Sequence, residues 1–347
     1  MDKDDKERIV NILMELISIV GLSGTEDKVA EYIKGRLAEA EIPFYERDGN
    51  VYAIKGNPEF LIATHMDTVP SWGYESAYRP YYDGERVWGR GAVDTRGQIA
   101  ALLYAMKKGK NFFSVFLCDE EEGGGGSASI HIPDSLEIKG CIVLEPTSLK
   151  VCTCQAGSLE IEIYVKGRAA HGSVPNSGEN AIERAMELFG MIKKAIDYND
   201  PLFPESGINV GIIKGGIDCQ VVPEYCYLRL DIPVLPEMDL EKVLKKISSL
   251  INRFSVEYKI IEKSKPWSIS QKEWIVERLT KAYKEALNEE PYFSGMPAWT
   301  DASNIMEKGI PCVVFGAGEL SCAHTSYESI HKDELYKLFL VIEKLIE

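Results

Sequence analysis

The sequence predicts an α/β protein: a mainly parallel sheet with helices on both faces, interrupted by an inserted α+β domain. Two observations predict it. Short apolar runs at 60–64, 114–118 and 141–144, with helical spacing between the first two, indicate strands alternating with helices. Beyond residue 157 the rhythm changes to β-α-β-β-α-β, the ferredoxin-like arrangement, before helix and strand alternate again. The expected division is therefore 1–156 with 265–347 for the α/β domain, and 157–264 for the insert. A chain of 347 residues accommodates two domains of common size.

Taken in order, residues 5–20 carry apolar residues at helical spacing and stop at Gly21 and Gly24. Ser23, with Glu26 three positions later, reads as a capping box. It opens a second helix whose apolar face is Val29, Tyr32, Ile33 and Leu37. The run 60–64 is a buried strand, 95–107 a helix, and 114–118 and 141–144 are strands. Within the insert, 159–165, 208–213, 225–232 and 256–261 alternate as strands, and 180–196 and 240–251 are helical. A helix at 275–287, a strand at 312–315 and a helix at 334–346 complete the chain.

Composition excludes several classes. An apolar fraction of 45% and a charged fraction of 27% are ordinary for a globular protein, which rules out wholesale disorder. The densest apolar stretch, 112–118, is far shorter than the ~20 residues a bilayer demands. The N-terminus is acidic where an export signal is basic. A net charge of −15 argues against nucleic acid and against an anionic membrane surface, and leaves a small substrate or a metal ion as partner. Eight cysteines are scattered without a secreted framework, so a reducing cytoplasm is expected.

Five residues follow strands or open a helix of the α/β layer. His65 and Asp67 leave the strand 60–64 on one face, an arrangement suited to a metal ligand and its orienting carboxylate. Asp94 precedes a helix. Asp119-Glu120-Glu121-Glu122 follows the strand 114–118 and runs into Gly123–Gly126, a turn the backbone can cross tightly. Glu145 ends the next strand, where α/β sheets hold ligands. His324 follows the last strand. Alone, each has an ordinary reading: an edge pair, a helix cap, a solvated acidic loop, a loop histidine. Together, two imidazoles and three carboxylates without a thiolate suit two hydrolytic divalent ions, zinc first and cobalt second. Of the adjacent Glu120 and Glu121, one can hold a cation while the other serves as general base. His131 and His331 read as surface residues.

These motifs resemble a family. Thr64-His65-Met66-Asp67-Thr68-Val69-Pro70, Gly89-Arg90-Gly91-Ala92-Val93-Asp94, Asp119-Glu120-Glu121-Glu122-Gly123 and Ala323-His324-Thr325 occur in its order, and so does Gly167-Arg168-Ala169-Ala170-His171-Gly172-Ser173-Val174-Pro175 of the insert. They are similar to the zinc-dependent amidohydrolases and peptidases that include acetylornithine deacetylase, succinyl-diaminopimelate desuccinylase, aminoacylase and glutamate carboxypeptidase. The match is best to the branch of acetylornithine deacetylase and the hydrolases that release lysine or ornithine from a carrier protein. The resemblance implies that His65, Asp94 and Glu145 hold one ion, that Asp94, Glu121 and His324 hold the other, and that Asp67 orients His65. Glu120 would be the general base. The insert would be a lid and dimerisation domain, with His171 steadying the oxyanion from the partner subunit of a homodimer. Arg229, Asn209 and Asp301 would be substrate contacts. Two departures bear on the substrate: Pro233 stands where relatives often carry arginine, and Gln220 where they often carry asparagine.

The function expected is removal of an N-acyl group from an amino acid by a two-metal amide hydrolase. A dipeptidase or carboxypeptidase is the alternative within the enzyme class, and a silent relative that binds a small ligand or metal is the alternative outside it. An acidic carrier protein is disfavoured as substrate by the −15 balance.

Overall fold

The computed structural model describes residues 2–347, and the chain divides into two compact units. The first comprises residues up to 153, 269–294 and 300–347; the second comprises 154–268 with 295–299.

In the first unit four parallel strands form the centre of the sheet, in the order Phe112–Leu117, Leu61–His65, Cys141–Val143 and Cys312–Val314. Their registers place Leu61 beside both Phe113 and Cys141, and Cys312 beside Cys141. The flanks are antiparallel. Asn50–Lys55 pairs with Phe112–Leu117 and carries Phe44–Arg47 outside it, while Val151–Gln155 joins Cys312–Val314 on the other side. The parallel centre is the one the apolar runs predict, because strands buried on both faces read as unbroken hydrophobic segments. The flanking hairpin is an addition. Its turn is Asp48-Gly49, with φ of 52° and 78°, the left-handed pair that a two-residue hairpin requires.

Ile62, Phe112, Phe116, Ile142, Val313 and Phe315 bury one face of this sheet. Over it lie the helices Asp2–Ile17, Arg96–Met106, Trp274–Leu287 and Lys332–Ile346. All eleven residues of Arg96–Met106 are buried, since other helices flank it as well as the sheet. Leu61, Ala63, Phe113 and Val143, on the opposite face, are equally buried, and the short helix Ala302–Glu307 packs against that side.

The expected capping box does not form. The helix Asp27–Glu39 begins after Glu26 with no side-chain cap. Ser23 instead donates to Asp67 at 2.7 Å, and Glu26 accepts from the backbone of Gly24 and Asp119, each at 2.9 Å. Both side chains that match a local motif are recruited by the site described below. The tight glycine crossing is real: at Gly126 a Cβ would meet the Cys118 carbonyl at 2.3 Å.

The second unit is an antiparallel sheet in the order Asn209–Gly215, Tyr225–Val234, Gly157–Lys166 and Glu257–Lys263. With the helices Ala181–Ala195 and Leu240–Arg253 it realises the β-α-β-β-α-β pattern. Leu159, Ile161, Ile163, Leu228, Leu230 and Ile232 face the helices, where Leu188, Ile192, Ile247 and Ile251 meet them. Asn180 and Asp239 cap the two helices, each accepting from two backbone amides. Glu160, Glu162, Tyr164, Tyr227 and Arg229 occupy the opposite face of the sheet. Among the described residues no helix is long and apolar enough to cross a membrane.

Phe116 sits at the centre of the first unit's core with no exposed surface. Phe116→Ala is expected to cost about 3–5 kcal/mol of unfolding free energy. Urea unfolding of both proteins checks this, and a loss below about 1 kcal/mol contradicts the assigned packing.

Candidate metal centre and active site

The ligand candidates gather at the carboxyl ends of the parallel strands, where the strands stop and their connections turn outward. His65 is the last residue of Leu61–His65 and has no exposed surface. Its Nε2 lies 3.1 Å from Asp94 Oδ1 and 3.9 Å from Glu145 Oε1. His324 Nε2 lies 3.2 Å from Asp94 Oδ2 and 3.1 Å from Glu121 Oε2. Asp94 thus turns one oxygen to each imidazole. Glu145 lies nearest His65 and Glu121 nearest His324, with Asp94 between the two imidazoles. Donor atoms of His65, Asp94 and Glu121 all fall within 4.8 Å of one another.

Asp67 lies behind His65. The His65 Nδ1 is 3.1 Å from the Asp67 carbonyl and 3.3 Å from its Oδ1. The Asp67 carboxylate also accepts from Ser23 Oγ at 2.7 Å, Glu120 N at 3.2 Å and Glu121 N at 3.0 Å. One buried carboxylate therefore fixes the ring of His65 and the backbone of the acidic loop together. A cis peptide joins Asp94 to Thr95, and Thr95 Oγ1 donates to the His65 carbonyl at 2.8 Å. Trp72, exposed, meets the His324 ring edge-on with centroids 5.9 Å apart.

The charges in this pocket are mutually strained. Burial pushes the carboxyls of Glu120 and Glu145 well above the ordinary range, and neighbouring carboxylates push further. Glu121 is raised by burial and by Asp94. Burial also acts on Asp67 and Asp94, but hydrogen bonds from imidazoles outweigh it. Asp67 falls to about 2, and Asp94 is held below its usual range by His324 and His65. His65 and His324 resist the lowering effect of burial because carboxylates surround them; His324 reaches about 10. Glu145 Oε1 is buried without a hydrogen-bond donor. Three crowded carboxylates, two imidazoles and an orphaned oxygen form a donor set that a hard or borderline divalent cation completes.

Of the remaining candidates, His171, Arg229 and Asn209 belong to the second unit, whereas Asp301 belongs to the first and acts electrostatically on Glu120 and Glu145. His171, in the second unit, is exposed in a turn, where its Nδ1 accepts from Ser173 N at 3.1 Å. Arg229 is paired with Glu160 on the polar face of its own sheet. Asn209 is exposed at a strand start. Asp301 is fully buried, and burial pushes its carboxyl up to about 7. His331 is no idle surface histidine: its Nδ1 accepts from Asp333 N at 3.1 Å and caps the last helix. His131 is half-buried beside Tyr45 and Tyr52. Sequence reading missed Ser23, Glu26 and Thr95, which hold the ligand loops. The one available signal, the Ser23–Glu26 spacing, pointed to a helix cap.

Residues 61–347 match the family model described as peptidase family M20/M25/M40. The chain belongs to that family. It is accordingly a metal-dependent hydrolase of amide bonds. A LysW-lysine/LysW-ornithine hydrolase of Sulfurisphaera tokodaii is 27% identical, over 95% of this chain and 92% of its own. An N-acetyl-L-citrulline deacetylase of Xanthomonas campestris is 25% identical, over 92% and 91% respectively. These names fit the deacetylase and carrier-linked hydrolase branch that the motifs indicate. Among solved structures, a tripeptidase from Staphylococcus aureus superposes with a TM-score of 0.79 at 19% identity, covering 98% of this chain and 97% of its own. A metallo-carboxypeptidase from Sulfolobus solfataricus gives 0.74 at 19%, covering 97% and 98%. Both share the α/β fold.

An imidazole binds a metal only in its neutral form, and here surrounding carboxylates raise the proton affinity of His65 and bring His324 to about 10. Ion uptake is therefore expected to release protons, and affinity to rise between pH 6 and 8 by about tenfold per pH unit for each proton released. Calorimetric titration with zinc in buffers of different ionisation enthalpy checks this. Heats independent of the buffer contradict the ligand assignment.

Proposed function

We propose that this protein removes an N-acyl group from an amino acid, in the manner of an acetylornithine or N-acyl-lysine/ornithine deacylase, using two divalent ions. The observation that carries the two-ion part is Asp94, whose two oxygens face the two imidazoles at 3.1 and 3.2 Å. The ligand sets are His65, Asp94 and Glu145 for one ion, and His324, Asp94 and Glu121 for the other. Zinc is the best match to these donors, and cobalt the second. Such ions lower the pKa of a water and polarise the scissile carbonyl.

The chain's own groups supply the rest. Glu120 takes the proton of the attacking water on its carboxylate and delivers it to the leaving amine nitrogen. Burial, and then the carboxylates around it, raise its proton affinity, which suits a group that must both accept and donate a proton. Asp67 holds His65 in one orientation and keeps the Glu120 backbone in place. His171 donates to the developing oxyanion, from the partner subunit of a homodimer formed through the insert, which acts as lid and dimerisation domain. Arg229, Asn209 and Asp301 complete the reading as substrate contacts. Arg229 would first have to leave Glu160, and Asp301 its cover. A cytoplasmic setting accords with eight cysteines that follow no secreted framework. The names of relatives support as substrate an amino acid like lysine, ornithine or citrulline, N-acetylated or carrier-linked. Peptidase neighbours keep a dipeptide or C-terminal peptide bond as the second reading.

A hydrolysis screen of acetyl-, succinyl- and glutamyl-amino acids and of dipeptides, after zinc or cobalt loading, decides between the two. Turnover of dipeptides alone overturns the deacylase reading. On the substrate found, Glu120→Gln is expected to keep its ions and lose about 100- to 10,000-fold in kcat. Glu121→Gln is expected to weaken ion binding instead. The roles are wrong if Glu120→Gln sheds metal while Glu121→Gln keeps it.

The donation by His171 has its own test. His171→Ala and Glu120→Gln proteins, each inactive, are mixed under conditions that exchange subunits. Activity should partly return, because one site of a mixed dimer regains both groups. Recovery is worth detecting, since one oxyanion donor contributes about 100- to 1,000-fold in rate. Verified mixed dimers without recovery contradict donation across the dimer.

A further inference from the structure

Behind His324 lies a buried ion pair that no step above uses. Arg90 and Glu328 are 2% and 0% exposed, and Arg90 Nη1 donates to Glu328 Oε2 at 2.8 Å. The remaining side-chain bonds of the pair run to segments next to ligand candidates, while the Arg90 backbone N–H bonds the Ala77 carbonyl at 2.8 Å. Arg90 Nη2 reaches the carbonyls of His324 and Pro70, each at 3.4 Å, and Nη1 reaches the Thr325 carbonyl at 3.3 Å. Glu328 Oε1 accepts from Val93 N, next to Asp94, at 3.2 Å, and the Glu328 carbonyl accepts from Gly89 N at 3.1 Å. One oxygen of Glu328 therefore holds the Asp94 segment, while the other holds the guanidinium that grips the His324 loop.

Two further observations distinguish this from an ordinary core pair. His324 has φ of 63°, a left-handed backbone that a non-glycine residue adopts only where its surroundings impose it. Arg90 is bonded to the carbonyl of that very residue. The guanidinium also leaves its buried Nε without an acceptor, so its orientation satisfies the loop carbonyls rather than all of its own donors. Trp72 completes the enclosure, with its ring 5.9 Å from the Arg90 guanidinium and 5.9 Å from the His324 ring.

We infer that Arg90 and Glu328 are positioning residues for the second ion: the pair brackets the Asp94 and His324 segments and sets the spacing between Asp94 Oδ2 and His324 Nε2. Neither touches substrate or ion. The first ion's set meets the bracket at Asp94, whose other oxygen faces His65, and at the Pro70 carbonyl five residues beyond His65, a contact at 3.4 Å. The inference rests on the reading of His324 as a ligand, and its test reads ion binding rather than turnover.

Full-length protein stripped of metal is titrated with zinc by calorimetry, for wild type, Glu328→Gln, Arg90→Lys and the double variant Arg90→Met/Glu328→Met. The double variant removes both charges together, so no unpaired ion stays buried. Thermal melting of the ion-free proteins confirms that each is folded. Wild type should take two ions. The variants should bind the first as wild type does and the second about 10- to 100-fold more weakly, the usual loss when a group orienting a ligand is removed. Arg90→Lys should be the mildest, because it keeps one charged donor. Two unchanged affinities in a folded variant, or an equal fall in both, overturn the bracket. Should the double variant not fold, the isosteric Glu328→Gln decides on the same criteria. A wild type that takes a single ion overturns the two-ion reading itself, and the bracket with it.

Discussion

Everything at the site depends on one carboxylate being shared by two imidazoles. Asp94 bonds His65 through one oxygen and His324 through the other. Those two histidines come from opposite ends of the chain. Around this pivot stand Glu120, Glu121 and Glu145, and burial opposes the ionised form of each. A protein core does not collect unbalanced carboxylates without a counter-charge. Carboxylates raise the proton affinity of both imidazoles against the effect of burial, and burial raises that of the glutamates. A divalent cation held by the same oxygen and nitrogen donors would supply the counter-charge directly. The crowding of like charges and the suitability for metal are thus one property, seen from two sides.

The fold meets that constraint through the parallel sheet. Parallel strands all end on the same side, so His65, the acidic loop, Glu145 and the His324 loop are delivered to one edge. What surrounds them is rigid rather than loop-like. Asp67 ties the acidic loop to the His65 strand through four hydrogen-bonding groups, and Gln98 links the Val93 and Ala317 carbonyls at 2.8 and 2.7 Å. The candidate ligands come from different segments, and Asp67 and Gln98 fasten several of those segments together.

The unevenness of what the sequence discloses has a physical origin. Apolar runs disclose the central strands because those strands are buried on both faces and need no polar alternation. The insert is equally open to reading, because its strands alternate and one face is packed. The candidate ligands are legible as a set of carboxylates and imidazoles at strand ends, and the structure brings His65, Asp94, Glu121 and His324 within reach of one another. The hairpin of Phe44–Arg47 and Asn50–Lys55 was overlooked although Asp48-Gly49 announces its turn; its outer strand is short and largely exposed, so hydrophobic spacing carries little there. The supporting polar residues were beyond reach for a different reason. Ser23 and Glu26 satisfy a local helix-start motif, yet their partners are Asp67 and Asp119, far along the chain. Local spacing cannot report a bond whose other half is set by topology. For the same reason Arg90 and Glu328 carry no local sign that they meet.

The position of the strand Cys312–Val314 has a consequence for how the protein comes into being. It pairs with Cys141–Val143, yet the whole second unit is translated between them. A ribosome therefore releases every residue of 154–268 while the first unit still lacks the strand that closes its sheet and the helix Lys332–Ile346 that covers Arg96–Met106. Until then Cys141–Val143 presents an open edge, and an all-buried helix has a bare flank. The insert, whose strands and helices are all at hand, can fold first. The first unit is left to assemble last, by a long-range closure that brings His324 to Asp94 in the same event.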